Sequence, residues 1–300
     1  MSVPGRLTTR GRPQVKGNEA MVTVTIMGAG GAMGRRITRS LINLAGYQLR
    51  FVEPGERGQQ LMADEFGTTA TELADALPGS DVVVLAVPDR IVGPIAADLV
   101  PRMEPGCCLL SLDPAAAHAN RVPQRDEISY FVMHPTHPPL YDLLAEEDPK
   151  ARRDFWGGGL AHQALVWAKA WGDEAKAEMI HQLCRDMFAP ISRSHRITVD
   201  QMALLEPAMS ESVTNACLEL MKQTRERVKE AGVPADAVDD FFMGHLQIAI
   251  SLIFDQLDWK LSEGAVKAAH EAQSVLFKDD WYRILDPEEV RRSTRSITGG

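Results

Sequence analysis

Hydrophobic and polar residues along this chain follow two periods, and the pattern changes once. Up to about residue 199, short apolar runs alternate with stretches of helical spacing. Residues 22–26, 48–52, 81–88, 107–112, 128–133, 165–171 and 191–199 read as strands, rich in β-branched residues or unbroken in hydrophobicity. The run Asp81-Val82-Val83-Val84-Leu85-Ala86-Val87-Pro88 suits a strand buried on both faces of a parallel sheet. Residues 35–44, 57–66, 73–77, 91–99 and 173–188 have helical spacing, with Ile37, Leu41 and Leu44 along one side of the first. Strands alternating with helices predict an α/β fold with a doubly wound parallel sheet. From Asp200 onward the spacing is helical only: 200–231, stopped by Gly232 and Pro234, then 236–260 and 262–276. The chain therefore divides into an α/β domain over 21–197 and an all-α domain over 198–300. Residues 141–159 are polar and end in three glycines, which predicts an excursion over the surface, a flap.

The first strand runs into Gly28-Ala29-Gly30-Gly31-Ala32-Met33-Gly34, a G-x-G-x-x-G between strand and helix, and the second strand ends in Glu53. Each part has a task in dinucleotide binding. Gly28 permits a tight turn, Gly30 lets the backbone approach a pyrophosphate at the helix N-terminus, and Gly34 lets helix and strand pack closely. Glu53 stands where an acid accepts from a ribose hydroxyl. Gly28, Gly30, Gly31, Ala32, Met33, Gly34 and Glu53, with Val87 and Pro88 at the end of the third strand, are the expected cofactor contacts of a Rossmann domain. A carboxylate at 53 repels the 2′-phosphate of NADP, which favours NAD; Arg57 nearby leaves NADP open.

Composition narrows the partners. A net charge of −9 argues against nucleic acid or an anionic membrane. Cys107, Cys108, Cys184 and Cys217 form no C-x-x-C pair, which fits buried thiols in a reducing cytoplasm. There is no run of about 20 apolar residues, so no membrane span is expected. Residues 1–20 carry Arg6, Arg10, Arg12 and Lys16 with two prolines and no apolar core. They read as a disordered extension, not a secretory signal, and the natural start is either Met1 or Met21. The helix over 236–260 has too few polar residues for the surface of a monomer, which predicts a homodimer with that helix in the interface.

Three places are candidates for chemistry. His134 and His137 lie in His134-Pro135-Thr136-His137-Pro138-Pro139, at the mouth of the expected cleft. The prolines hold the preceding residues extended, and at three residues per turn both histidines project from one side. The plainer reading is a stiff loop with two solvated histidines. Glu206 precedes Pro207, where the helix must kink or begin. It falls on the apolar stripe of Met202, Met209 and Val213, so it needs a partner such as a metal or a base; otherwise it is an acid at a helix N-terminus. Glu211 falls on another face of an α-helix and reads as an ordinary surface or paired acid. His245 sits among Phe241, Phe242, Ile248, Ala249 and Leu252 beside Gly244, either a core histidine or a ligand delivered to the cleft.

Taken together, Gly28 to Gly34, Asp81 to Asp89, the double-histidine proline segment, Leu205-Glu206-Pro207 with Ser210-Glu211, and Gly244-His245 resemble the D-apionate oxidoisomerase family. That family belongs to the group containing 6-phosphogluconate dehydrogenase and ketol-acid reductoisomerase. The resemblance covers the chain from about Met21. It implies a Rossmann domain followed by a helical dimerisation domain, and NAD-dependent conversion of the sugar acid D-apionate to 3-oxo-isoapionate by oxidation and an α-ketol shift. It further implies a divalent metal ion held by Glu206 and His245, with His134, His137 and Glu206 as the catalytic group. The full acidic cluster of ketol-acid reductoisomerase is not matched at its spacing. A prephenate-type dehydrogenase shares a histidine-proline pair after a Rossmann strand but takes an aromatic substrate. A simple β-hydroxyacid dehydrogenase would place a lysine early on the first long helix, whereas Lys222 and Lys229 come late. A non-catalytic NAD-binding scaffold or sensor is the remaining alternative.

Overall fold

The computed structural model describes residues 21–141 and 146–299. The expected N-terminal extension, 1–20, lies outside the described residues. The chain begins with β1 (Val22–Met27), α1 (Ala32–Leu41), β2 (Tyr47–Val52), α2 (Glu56–Phe66) and the short α3 (Leu73–Ala76). It continues through β3 (Val82–Leu85), α4 (Asp89–Leu99), β4 (Cys108–Ser111), α5 (Ala115–His118) and β5 (Ser129–Pro135). β6 (Gln163–Trp171), α6 (Ala177–Met187) and β7 (Ile191–Arg196) complete one seven-stranded sheet in the order β2-β1-β3-β4-β5-β6-β7.

The sheet departs from the expected all-parallel pattern at one pairing. Strands β1 to β5 are parallel, β6 runs antiparallel to β5, and β7 is parallel to β6. The cause lies in the connections. A parallel return needs a crossover, usually a helix, and α6 provides one between β6 and β7. Between β5 and β6, the described part of residues 136–162 holds only a single 3-10 turn, Ala151–Arg153, so the chain comes back antiparallel. The third strand is also shorter than its apolar run: Val87 and Pro88 leave the sheet, and Pro88 precedes the first turn of α4.

Alternate residues of the strands feed two cores. Val24, Ile26, Val82 and Val84 pack with Ile37 and Leu41 of α1 and with Ile180, Leu183 and Met187 of α6. Val83, Leu85 and Leu109 pack on the other face with Val92, Ala96 and Leu99 of α4. Each of the valine, leucine, isoleucine and methionine side chains contributes roughly 1.5–3 kcal/mol on burial. One buried residue on α1 is charged. Arg36 is 2% exposed and donates to the carbonyls of Gly157, Met187 and Ala189, tying the loop before β6 and the end of α6 to the first helix.

Beyond the sheet the elements are helical: α7 (Val199–Ala203), a π-helical segment (Leu204–Thr214), α8 (Asn215–Glu230), α9 (Ala235–Ile253), α10 (Glu263–Leu276), a 3-10 turn (Trp281–Leu285) and α11 (Pro287–Ile297). Thr198 and Gln201 form a capping box that starts α7. α11 folds back against α5 and the π segment. α9 buries only Val238, and α10 buries no residue. Among the described residues, no helix is long and apolar enough to cross a membrane.

Candidate functional site

The glycine loop between β1 and α1 is built by close approach. Gly28 has φ +75°, and a Cβ there would stand 2.5 Å from the Ala86 carbonyl oxygen at the end of β3. A Cβ on Gly34 would meet the Gly28 oxygen at 2.3 Å, so helix and turn touch backbone to backbone. Gly30 differs from its expected role in one respect. A Cβ on it would strike the Gly58 backbone at 2.4 Å, because Gly30 packs against the start of α2. Its amide donates to the Glu53 carboxylate at 2.9 Å, and the Gly55 amide donates to the other oxygen at 2.9 Å. Glu53 is thus fixed at the end of β2, beside the loop. Gly31 precedes α1, no side chain caps that helix and its first turn holds no acid, which leaves its N-terminal amides for an anion. Ala32 and Met33 form that first turn. Val87 contacts the loop at the position of Gly28, and Pro88 follows it. Arg57 is exposed in the first turn of α2.

A second feature gathers beyond the C-terminal ends of β4 and β5, where open α/β sheets bind ligands. Ligand atoms of Asp113, His134 and Glu206 all lie within 4.8 Å of one another. Asp113 follows β4 and accepts the Ala115 amide at 2.7 Å. His134 is the penultimate residue of β5, and its Nδ1–H donates to the Leu112 carbonyl at 2.8 Å. In a neutral ring this leaves the Nε2 lone pair facing Glu206, 3.5 Å from Oε1. Three acceptors therefore converge, and such a set fits a divalent cation of oxygen or mixed oxygen–nitrogen preference.

The surrounding charge tells the same story. Burial pushes the Asp113 carboxyl up to about 8, helped by Asp89, Glu211 and Glu206. Burial also raises Asp89 and Glu211; Glu206 adds to both, while His134 opposes the rise at Asp89. Four carboxylates thus repel one another around one histidine.

Glu211 takes part because of a helix irregularity. Pro207 has no amide and would clash with the carbonyl four residues back. The chain answers by widening into the π segment rather than ending the helix. Residues five apart share a side of a π-helix but lie about 140° apart on an α-helix. Glu211 therefore joins Glu206, contrary to its expected place on another face. The local sequence marks Asp89 and Asp113 only in that each follows a buried strand of the parallel sheet.

His137 is near but not equivalent. Its ring lies 6.1 Å from that of His134, edge to face, and its Nδ1–H donates to the Trp156 carbonyl. The two approach through a strand end and a left-handed residue, His137 at φ +59°, not through the expected polyproline geometry. Within one copy of the chain, the expected ligand His245 is not brought to this group. It is exposed on α9, its ring stacks on Phe241 at 3.8 Å, and its Nδ1–H donates to the Phe241 carbonyl one turn back. Helical periodicity placed it on an apolar face, but that face turns outward.

A dinucleotide loop joined to a helical C-terminal region defines a nicotinamide-dependent oxidoreductase of the 6-phosphogluconate dehydrogenase type. Residues 145–298 match the family "Phosphogluconate dehydrogenase (decarboxylating) C-term", and residues 23–112 match "NADP oxidoreductase coenzyme F420-dependent". The chain is 39% identical over 275 residues to a D-apionate oxidoisomerase of Cupriavidus necator, covering 92% of this chain and 99% of that one. It is 37% identical over 278 residues to a D-apionate oxidoisomerase of Rhizobium rhizogenes, covering 93% and 100%. A crystal structure of a semialdehyde dehydrogenase NAD-binding protein from Cupriavidus necator, in complex with calcium and NAD, matches with a TM-score of 0.88 at 39% identity, over 92% of this chain and 99% of that chain. The chain belongs to the D-apionate oxidoisomerase family.

Proposed function

We propose that this protein oxidises D-apionate with NAD and rearranges the product to 3-oxo-isoapionate. The observation that carries this reading is the convergence of Asp113, His134 and Glu206 at the edge of a dinucleotide-binding sheet. Hydride leaves the carbinol carbon next to the carboxylate for NAD, and the hydroxyl proton goes to a base. His134 suits that base: Leu112 fixes its Nδ1–H, so Nε2 is the atom free to accept. His137, from the next turn, orients the polyol. Asp113 and Glu206 would hold a divalent cation, which when bound polarises a carbonyl and stabilises the neighbouring alkoxide. That is the requirement of an α-ketol shift, in which the hydroxymethyl group on the tertiary carbinol migrates to the new carbonyl carbon. In this reading, Asp113 replaces His245 as the second ligand beside Glu206.

The same reading takes NAD over NADP because Glu53 stands at the end of β2. It divides the chain into 21–197 and 198–300, and it places the enzyme in the cytoplasm as a homodimer. The dimer rests on α9 and α10. A helix of 14 residues with no buried side chain is marginal in water by itself, and Phe241, Met243, Trp259 and Val275 are all more than half exposed in one copy.

The test is NADH formation over branched and linear aldonates, with products identified by NMR. D-Apionate is expected to give NADH and 3-oxo-isoapionate. Turnover of linear aldonates but not of D-apionate would overturn the reading.

A further inference from the structure

The segments that carry Asp113 and Glu206 meet again behind the carboxylate group, at a joint that the reaction chemistry does not use. α5 follows Asp113 directly and ends in His118; α7 runs into the π segment that carries Glu206. His118 is buried between them with its side chain 5% exposed. Its Nδ1 lies 3.0 Å from the Thr294 hydroxyl on α11. That hydroxyl lies within reach of the Arg291 carbonyl at 3.1 Å, and Thr294 is itself fully buried. On the other side, His118 Nε2 faces Asp200 on α7 at 3.5 Å. A cavity of about 220 Å³ opens beside this contact, lined by His118, Asn120, Trp171, Asp200 and Arg291 among others. One imidazole therefore touches α7 and α11 from the last residue of the single turn whose first amide, that of Ala115, donates to Asp113.

We infer that His118 is a positioning residue for the cation site: it pins α5 to α7 and α11 and so sets Asp113 against Glu206. This inference rests on the reading of Asp113 and Glu206 as ligands. The physical reason is lever length. α5 is one turn long and cannot hold its own direction, so Asp113 is aimed by whatever fixes the far end of that turn. A cation site tolerates little drift, since hard cations bind oxygen at about 2.0–2.6 Å, and loss of an orienting partner typically costs about 10–100-fold in affinity. Asparagine can place an amide near the Nδ1 position of histidine, so it can keep the Thr294 contact; leucine keeps bulk and loses both polar contacts.

Calorimetry of Mn²⁺ binding to chelator-stripped protein tests this, with NAD affinity measured separately by fluorescence quenching. Wild type is expected to bind Mn²⁺ and Glu206→Gln to lose that binding. His118→Leu is expected to bind at least about tenfold more weakly, His118→Asn to recover most of the loss, and Thr294→Val to reproduce part of it. NAD affinity should be the same in all. Should His118→Leu fold poorly, Thr294→Val and His118→Asn carry the comparison. Wild-type Mn²⁺ affinity in His118→Leu and Thr294→Val, with binding lost in Glu206→Gln, overturns the positioning role alone. Undiminished binding in Glu206→Gln, or none in wild type, overturns the ligand reading and the inference with it.

Discussion

Glu206 puts a carboxylate, 23% exposed, against a histidine nitrogen and beside three other acids. Its removal separates binding from chemistry. Glu206→Gln keeps shape and hydrogen-bonding capacity but loses the charge that a cation needs. The variant should bind NAD as wild type does, lose about 10²-fold or more in turnover, and release some unrearranged 2-oxo acid; product NMR after treatment of wild type with EDTA should look the same. Full rearranging activity, indifferent to EDTA, would make Glu206 structural. Asp113 adds a pH dependence. Its folded value, about 8, lies above the ordinary carboxyl value of about 4. The folded state therefore holds a proton that the unfolded state has already lost, and this contribution to stability fades as pH rises from about 4 to about 8. A cation held by Asp113 would displace that proton. The rise in Tm on adding Mn²⁺ should accordingly be larger at pH 8.5 than at pH 6, and an equal rise at both would remove Asp113 from the site.

At the scale of elements, the π segment decides which acids meet. Proline in a helix interior costs about 3 kcal/mol, and here it coincides with the widened turn that aligns Glu206 with Glu211. Pro207→Ala lets the segment relax toward α-helical spacing. The expected outcome is an equal or higher Tm together with a kcat/KM lowered by about tenfold or more, since Glu211 rotates away. Unchanged kcat/KM would mean that the alignment has no functional weight. The glycine loop is a second case. Gly30→Ala drives a methyl into the Gly58 backbone rather than into open space above the loop. The start of α2 must move and Glu53 with it, so both stability and NAD affinity should fall; calorimetry showing unchanged NAD affinity would contradict this.

For the whole molecule, the proposed homodimer would cover the outward apolar residues of α9 and α10. Phe241→Asp should shift the protein toward monomer in sedimentation at micromolar concentration, and a wild-type monomer would refute the assembly. His118 gives the molecule an acid limit opposite in sign to that of Asp113. Burial, the largest effect, and Arg291 lower its value, while Asp200 opposes them. The unfolded chain takes up this proton first as pH falls below about 6.5, so stability is lost from there downward until the folded value is passed. His118→Asn should flatten that part of the Tm profile.

What could be read from the chain alone follows from locality. All seven strands and the glycine loop were legible, because strand and helix periods and the G-x-G-x-x-G spacing are properties of contiguous residues. So was the oddity of Glu206, since an acid on an apolar stripe is anomalous at short range. The family was legible in the same way, from short motifs. The reversal of β6 was not, because direction depends on whether a crossover packs, and a polar loop carries no sign of that. Asp89 and Asp113 were not, because each looks ordinary until parallel strands bring their ends together. Glu211 was misplaced because ideal α-helical spacing does not anticipate a local change of pitch, and it does not say which partner the face of His245 finds either. Sequence determined the elements and the cofactor loop; tertiary structure decided which charges meet, since mutual repulsion and burial exist only once distant segments share one place.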